Sequence, residues 1–178
     1  PLRISAEHGE GMSELYAALM PLADEFKEMR TVETPLTDVD VTEDDEDGPR
    51  KPTQDRPLQV AVVGRPNAGK STLLNRMVGA KVSIVTHKVQ TTRARIRGIC
   101  MEGAAQLVFV DTPGLFKPRR RLDRAMMAAA WGGAMDADIV VLLVEAHRGV
   151  SSGVQSIIDQ LKELEGRRVI LAINKIDR

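Results

Sequence analysis

The 178 residues, 43% of them hydrophobic and only one a cysteine, suffice for one packed domain with appendages and exclude an internal disulfide. No apolar run reaches the ~18 residues of a membrane-spanning helix and no secretory signal is visible, so the reading is a cytoplasmic protein, with peripheral membrane association kept open. The 25 basic and 25 acidic side chains cancel overall, yet residues 1–57 hold 6 basic and 15 acidic ones while residues 58–178 hold 19 and 10.

In chain order, residues 2–5 read as a short strand and 13–29 as a helix opened by a Ser13 cap. Seven of the ten residues from Asp38 to Asp47 are Asp or Glu, and Pro35 and Pro49 bound the run. That composition predicts a disordered acidic linker over 30–57. From there strand and helix alternate: strand 59–63, helix 71–78, strands 95–101 and 106–110, helix 121–131, strand 139–145, helix 153–164 and strand 168–173. Such alternation predicts an α/β fold with a mostly parallel sheet and helices on both faces. Only Glu102-Gly103-Ala104-Ala105 separates strands 95–101 and 106–110, so that pair is expected to be antiparallel. Cys100 falls at the apolar end of a strand, and Met126, Met127 and Ala128 to Ala130 read as helix core.

Three motifs sit at strand ends. Gly64-Arg65-Pro66-Asn67-Ala68-Gly69-Lys70-Ser71 has the spacing of a phosphate loop between a strand and a helix that stops at Gly79. There, free backbone N–H groups and the positive end of the helix dipole face an anion. Gly64 and Gly69 let the backbone approach phosphate oxygens, and Asn67, Ala68 and Thr72 complete the cradle. Lys70 is expected at the β and γ phosphates and Ser71 on Mg²⁺. Asp111-Thr112-Pro113-Gly114 follows the next apolar strand, with Asp111 as a Mg²⁺ ligand and the Gly114 N–H near a γ phosphate. Asn174-Lys175-Ile176-Asp177 follows the last strand. An Asp177 carboxylate there can accept the N1–H and 2-amino protons of guanine, a donor pair that adenine lacks. Lys175 would lie along the base and Asn174 would tie this loop to the phosphate loop; an ATPase is the distant alternative. In the interval 88–93 a threonine is needed for Mg²⁺ and the γ phosphate; Thr91 and Thr92 both qualify, and Thr92 is preferred.

These motifs, together with Gln90-Thr91-Thr92-Arg93, resemble the Era and Der group of bacterial GTPases. Residues from about 70 to 178 resemble Era, through Lys81-Val82-Ser83-Ile84-Val85-Thr86, Phe116-Lys117-Pro118-Arg119 and Trp131-Gly132-Gly133-Ala134. Residues 1 to about 70 resemble Der, through Ile4-Ser5-Ala6-Glu7-His8-Gly9, the acidic linker and Arg56-Pro57. The resemblance implies a P-loop NTPase G domain that binds GTP or GDP with Mg²⁺, hydrolyses GTP, and acts as a switch in ribosome assembly. A Der-like assembly GTPase and a GTP-binding fragment without productive turnover stay open beside it. Leu115 stands where other GTPases use a glutamine to orient water, and Asn67 matches the asparagine that helps bind K⁺ in related proteins. Lys70, Asn67 and Thr92 are therefore the catalytic candidates, and hydrolysis is expected to be slow alone, on the order of 10⁻⁴ to 10⁻² per second.

Ribosomal RNA and the small subunit are the implied macromolecular partners. Lys117, Arg119, Arg120 and Arg121 offer phosphates a basic patch, or form a plain solvated loop, and few aromatics interleave for base stacking. The KH domain that carries most RNA binding in the Era family has no counterpart in these residues. A whole G domain also needs a further strand, helix and base-covering Ser-Ala pair beyond Asp177, so the C-terminal part reads as truncated. Ser5-Ala6 has that form, ahead of a helix. The expectation is that strand 2–5 adds as an edge beside strand 168–173, with helix 13–29 packed behind it. The alternative is a loose remnant of a preceding domain.

Overall fold

A computed structural model describes residues 1–28, 57–85, 92, 95–102, 105–116, 118, 121–164 and 168–177. The elements are β1 (Leu2–Arg3), α1 (Met12–Glu28), β2 (Leu58–Gly64), α2 (Lys70–Val78), β3 (Ile96–Glu102), β4 (Ala105–Asp111), α3 (Arg121–Asp136), β5 (Ile139–Glu145), α4 (Ser152–Lys162) and β6 (Arg168–Asn174). They form a six-stranded sheet in the order β1-β6-β5-β2-β4-β3. Every pairing is parallel except β3 with β4, which is antiparallel as the short connection requires. The acidic linker, apart from Pro57, lies outside the described residues, as do Gln90, Thr91, Arg93, Lys117, Arg119 and Arg120.

The expected edge strand is present. Leu2 pairs with Ala172 and Arg3 with Ile173, and the Ile4 N–H donates to the Ile173 carbonyl at 2.7 Å. The strand has two residues rather than four because the chain turns at once: the Ser5 N–H reaches the Glu10 carbonyl and the Gly9 N–H the Ser5 carbonyl. Helix α1 begins at Met12, not at a Ser13 cap. The Ser13 hydroxyl bonds to neighbouring Glu14, and the Gly11 carbonyl receives the Leu15 N–H instead.

Period-two alternation along the strands splits the core into two layers. Val60 and Val62 of β2 face a cluster holding Leu15 and Leu19 of α1 with Leu73, Leu74 and Met77 of α2. Ala61 and Val63 face the opposite cluster, with Ala130 and Ala134 of α3 and Val154, Ile157 and Leu161 of α4. Each fully buried leucine stabilises by roughly 1.5–3 kcal/mol relative to exposure, so α1 is an integral part of the first layer. Strand β5 is buried at all seven positions, as befits a central parallel strand. Helix α3 runs five residues past the expected end at Trp131. Glycines weaken a helix, but a Cβ on Gly133 would lie 2.9 Å from the Thr112 methyl, so the small residue lets the helix pack closely on the end of β4. Close packing outweighs the roughly 1 kcal/mol helix penalty of each glycine.

Candidate nucleotide site

The loop between β2 and α2 opens on the carboxyl edge of the sheet. Gly69 caps α2 with φ of 98°, and a Cβ there would meet the Asn174 amide nitrogen at 2.3 Å. Glycine is thus required twice, by its backbone angle and by its neighbour. Lys70 is buried, its ammonium 3.2 Å from the Arg65 carbonyl and 3.4 Å from that of Gly64. Burial pushes its pKa from 10.5 down to about 8, and the Asp111 charge opposes that fall.

Asp111, at the end of β4, is fully buried. Its Oδ2 accepts from Ser71 Oγ at 2.6 Å, Ser83 Oγ at 2.8 Å and Thr92 Oγ1 at 3.2 Å, and the Ser71 and Thr92 hydroxyls lie 3.3 Å apart. Its Oδ1 is buried and has no hydrogen-bond partner among the described residues. An orphaned carboxylate oxygen on a group that three hydroxyls approach is an all-oxygen donor set that fits a hard divalent cation. Thr112 is anchored by its hydroxyl to the Val62 carbonyl at 2.8 Å. Gly114 packs against Pro66, and the Leu115 N–H donates to the Gly64 carbonyl at 2.9 Å, so this segment rests on the phosphate loop.

On the other side, Asn174 Nδ2 donates to the Ala68 carbonyl at 2.9 Å. Lys175, at φ of 62°, donates to the Asn67 carbonyl at 2.7 Å and to Glu145 Oε1 at 3.1 Å. Asp177 Oδ2 lies 3.5 Å from His8 Nε2, which brings the N-terminal loop against the acid expected to read the base. Ala6 is buried and its N–H donates to Asn174 Oδ1. Ser5 is buried with its hydroxyl turned into its own loop, accepting the His8 N–H at 3.3 Å. Arg76 of α2 fastens that loop through the Glu7 carbonyl at 2.6 Å and the Ala6 carbonyl at 3.5 Å. Bonded contacts thus tie Ala6, the phosphate loop and Asn174-Lys175 together, and separately join Ser71, Thr92 and Asp111. Thr72, in the first turn of α2, is half-buried.

Three residues escaped the sequence reading. Ser83 is held by Asn75, whose side-chain oxygen accepts the Val82 and Ser83 N–H groups at 2.9 and 2.8 Å. It lies in a run quoted for its family resemblance, but no spacing marked it. Arg76 carried no motif. Glu145 was legible in principle, since it ends a buried strand at the same edge as Asp111.

Comparison with known proteins assigns the chain to a family: it belongs to the 50S ribosome-binding GTPases, whose pattern matches residues 59–175. It is 75% identical over 121 residues to the GTPase Era of Dinoroseobacter shibae, covering 67% of this chain and 39% of that protein. Among solved structures it resembles Era in complex with MgGDPNP and nucleotides 1506–1542 of 16S ribosomal RNA, at 38% identity and a TM-score of 0.65 over 67% of this chain and 41% of that one. It also resembles NFeoB of S. thermophilus bound to GDP·AlF4⁻ and K⁺, at 25% identity and a TM-score of 0.56 over 67% of this chain and 45% of that one. The chain spans about two fifths of the length of the Era relatives it matches. Among the described residues no helix is long and apolar enough to cross a membrane.

Proposed function

We propose that this chain binds GTP and GDP with Mg²⁺ and hydrolyses GTP to GDP and phosphate, as an Era-like switch in ribosome biogenesis in the cytoplasm. The observation that carries the reading is the Asn174 carboxamide, which links the loop holding Lys175 and Asp177 to the phosphate loop at Ala68. In this reading the amides of residues 64–72 cradle the phosphates and Lys70 neutralises their charge. Ser71, Thr92 and Asp111 would hold Mg²⁺, which when bound offsets charge on the β and γ phosphates. Asp177 reads guanine, Lys175 lies along its plane, and Ser5-Ala6 covers it. Residues 1–29 then act as the completing strand and helix of the domain, 30–57 as a linker, and 58–178 as the remainder.

Leu115 is buried among α3 and α4 side chains, so it cannot orient a water. Hydrolysis must draw on charge neutralisation instead. Asn67 is exposed at the loop tip, and its carboxamide oxygen is a hard donor suited to K⁺. The NFeoB relative bound to K⁺ supports that assignment. The Era complex with 16S ribosomal RNA supports small-subunit RNA as partner. The likeness of residues 1 to about 70 to Der rests only on Ile4-Ser5-Ala6-Glu7-His8-Gly9, the acidic linker and Arg56-Pro57. Titration with a fluorescent GDP analogue in magnesium buffer should show saturable uptake that GTP displaces and ATP does not. Phosphate release should be faster in K⁺ than in Na⁺. Uptake without any release would favour the non-hydrolysing reading, and no uptake would end both.

A further inference from the structure

Glu145 ends β5 with its side chain only 5% exposed, yet it faces two cationic side chains and a histidine. Lys175 Nζ lies 3.1 Å from Oε1, Arg148 Nε 3.0 Å and His147 Nε2 3.5 Å from Oε2. The partners differ in kind. Arg148 and His147 are 65% and 46% exposed, and Oε2 accepts no aligned hydrogen bond from either. Exposed partners of that sort contribute little. Lys175 is the one held in the structure, at 21% exposure, with the Asn67 carbonyl on its other side at 2.7 Å.

The backbone frames this contact. Glu145 pairs in register with Asn174, and the Ala146 N–H donates to the Asn174 carbonyl at 2.8 Å. The carboxylate therefore projects beside the lysine that follows Asn174. A buried carboxylate with one unsatisfied oxygen is a poor stabilising device, since apolar residues of similar size usually serve as well or better. Fixing the path of a flexible four-carbon side chain is what it does well.

We infer that Glu145 is a positioning residue for guanine recognition: it clamps the Lys175 ammonium against the Asn67 carbonyl, so that the aliphatic stem of Lys175 presents a preformed floor to the base. This rests on the guanine-nucleotide reading above. The clamp acts on the base half of the ligand and leaves the phosphate half alone.

The test measures GDP affinity, and pyrophosphate affinity by competition, for the full chain and its variants. Glu145→Gln keeps the shape and removes the charge. It should weaken GDP about tenfold, the weight of one charged hydrogen bond, while pyrophosphate affinity stays unchanged. In a Lys175→Met background the same substitution should add nothing further. Glu145→Asp keeps the charge on a shorter arm and serves if the glutamine variant does not fold; it should lose about threefold for GDP alone. Equal losses for GDP and pyrophosphate, a full effect in the Lys175→Met background, or variants that bind GDP like the parent would each overturn the inference while leaving guanine binding intact. Absence of GDP uptake by the parent chain would overturn both.

Discussion

The Ala6 N–H donates to Asn174 Oδ1 at 2.9 Å, and the same carboxamide donates to the Ala68 carbonyl at 2.9 Å. One buried side chain therefore joins the N-terminal loop, the end of β6 and the phosphate loop. Asn174→Ala would leave a buried donor and a buried acceptor unpaired. The expected loss is roughly 2–4 kcal/mol of stability, read as a lower urea midpoint, together with weaker GDP binding. A midpoint within experimental error of the parent would remove Asn174 from its proposed place.

Removal of residues 1–28 tests the completion of the sheet. The deletion strips Leu15 and Leu19 from the layer shared with Leu73, Leu74 and Met77, and leaves β6 as an open edge. The shortened chain should aggregate, or unfold at markedly lower denaturant than the parent. A monomer of unchanged stability and GDP affinity would show these residues to be dispensable.

Lys70 sets a pH dependence. Its ammonium titrates near 10.5 when unfolded and near 8 when folded. Between those values the unfolded chain binds more protons, so stability should rise as pH rises from about 8 to 10.5, and the full cost of the buried charge is present below 8. Lys70→Met should abolish this rise and be more stable at neutral pH by up to about 3 kcal/mol, while losing nucleotide binding. Urea midpoints at pH 7.5 and pH 10 decide the matter; parallel shifts in both proteins would refute the assignment.

Asp111→Asn removes the charge from the carboxylate on which Ser71, Ser83 and Thr92 converge. GTP affinity in the variant should become insensitive to Mg²⁺, whereas the parent should lose at least tenfold when the metal is chelated. A variant that keeps the parent's Mg²⁺ response would exclude Asp111 as a ligand or its holder.

Asp177→Asn should weaken GDP and favour xanthine nucleotides, because the carboxamide donates where the carboxylate accepts. Direct competition between GDP and XDP measures it. Undiminished GDP preference would mean that another group reads the base.

Most strands were legible because they are short β-branched runs between glycine- or asparagine-bearing turns, and the edge pairing of β1 was legible because a spare strand–helix unit at residues 2–29 complements the edge beside strand 168–173. The motif residues were legible for a different reason: chemistry demands particular side chains at strand ends. What stayed hidden depends on approach between distant segments. The paired glycines Gly132-Gly133 weaken a helix locally, and the nearness of Gly133 to Thr112 shows what α3 gains by continuing through them. Ser83 reaches Asp111 through a turn pinned by Asn75, and periodicity carries no trace of that bond. Ser13 has the right identity for a cap, but its hydroxyl found Glu14 instead.

Strand β1 precedes its partner β6 in translation by a long interval, with contacts such as Ala6 to Asn174 separated by 168 positions. Local helices and the β3–β4 hairpin can assemble as they emerge from the ribosome, but this seam must wait. Loop closure over such a distance is slow and leaves an apolar helix face and a bare sheet margin exposed meanwhile. If Ser5-Ala6 covers the base as proposed, that cover would close only after β6 is in place, and a folding intermediate would hold the phosphate loop before the full base pocket.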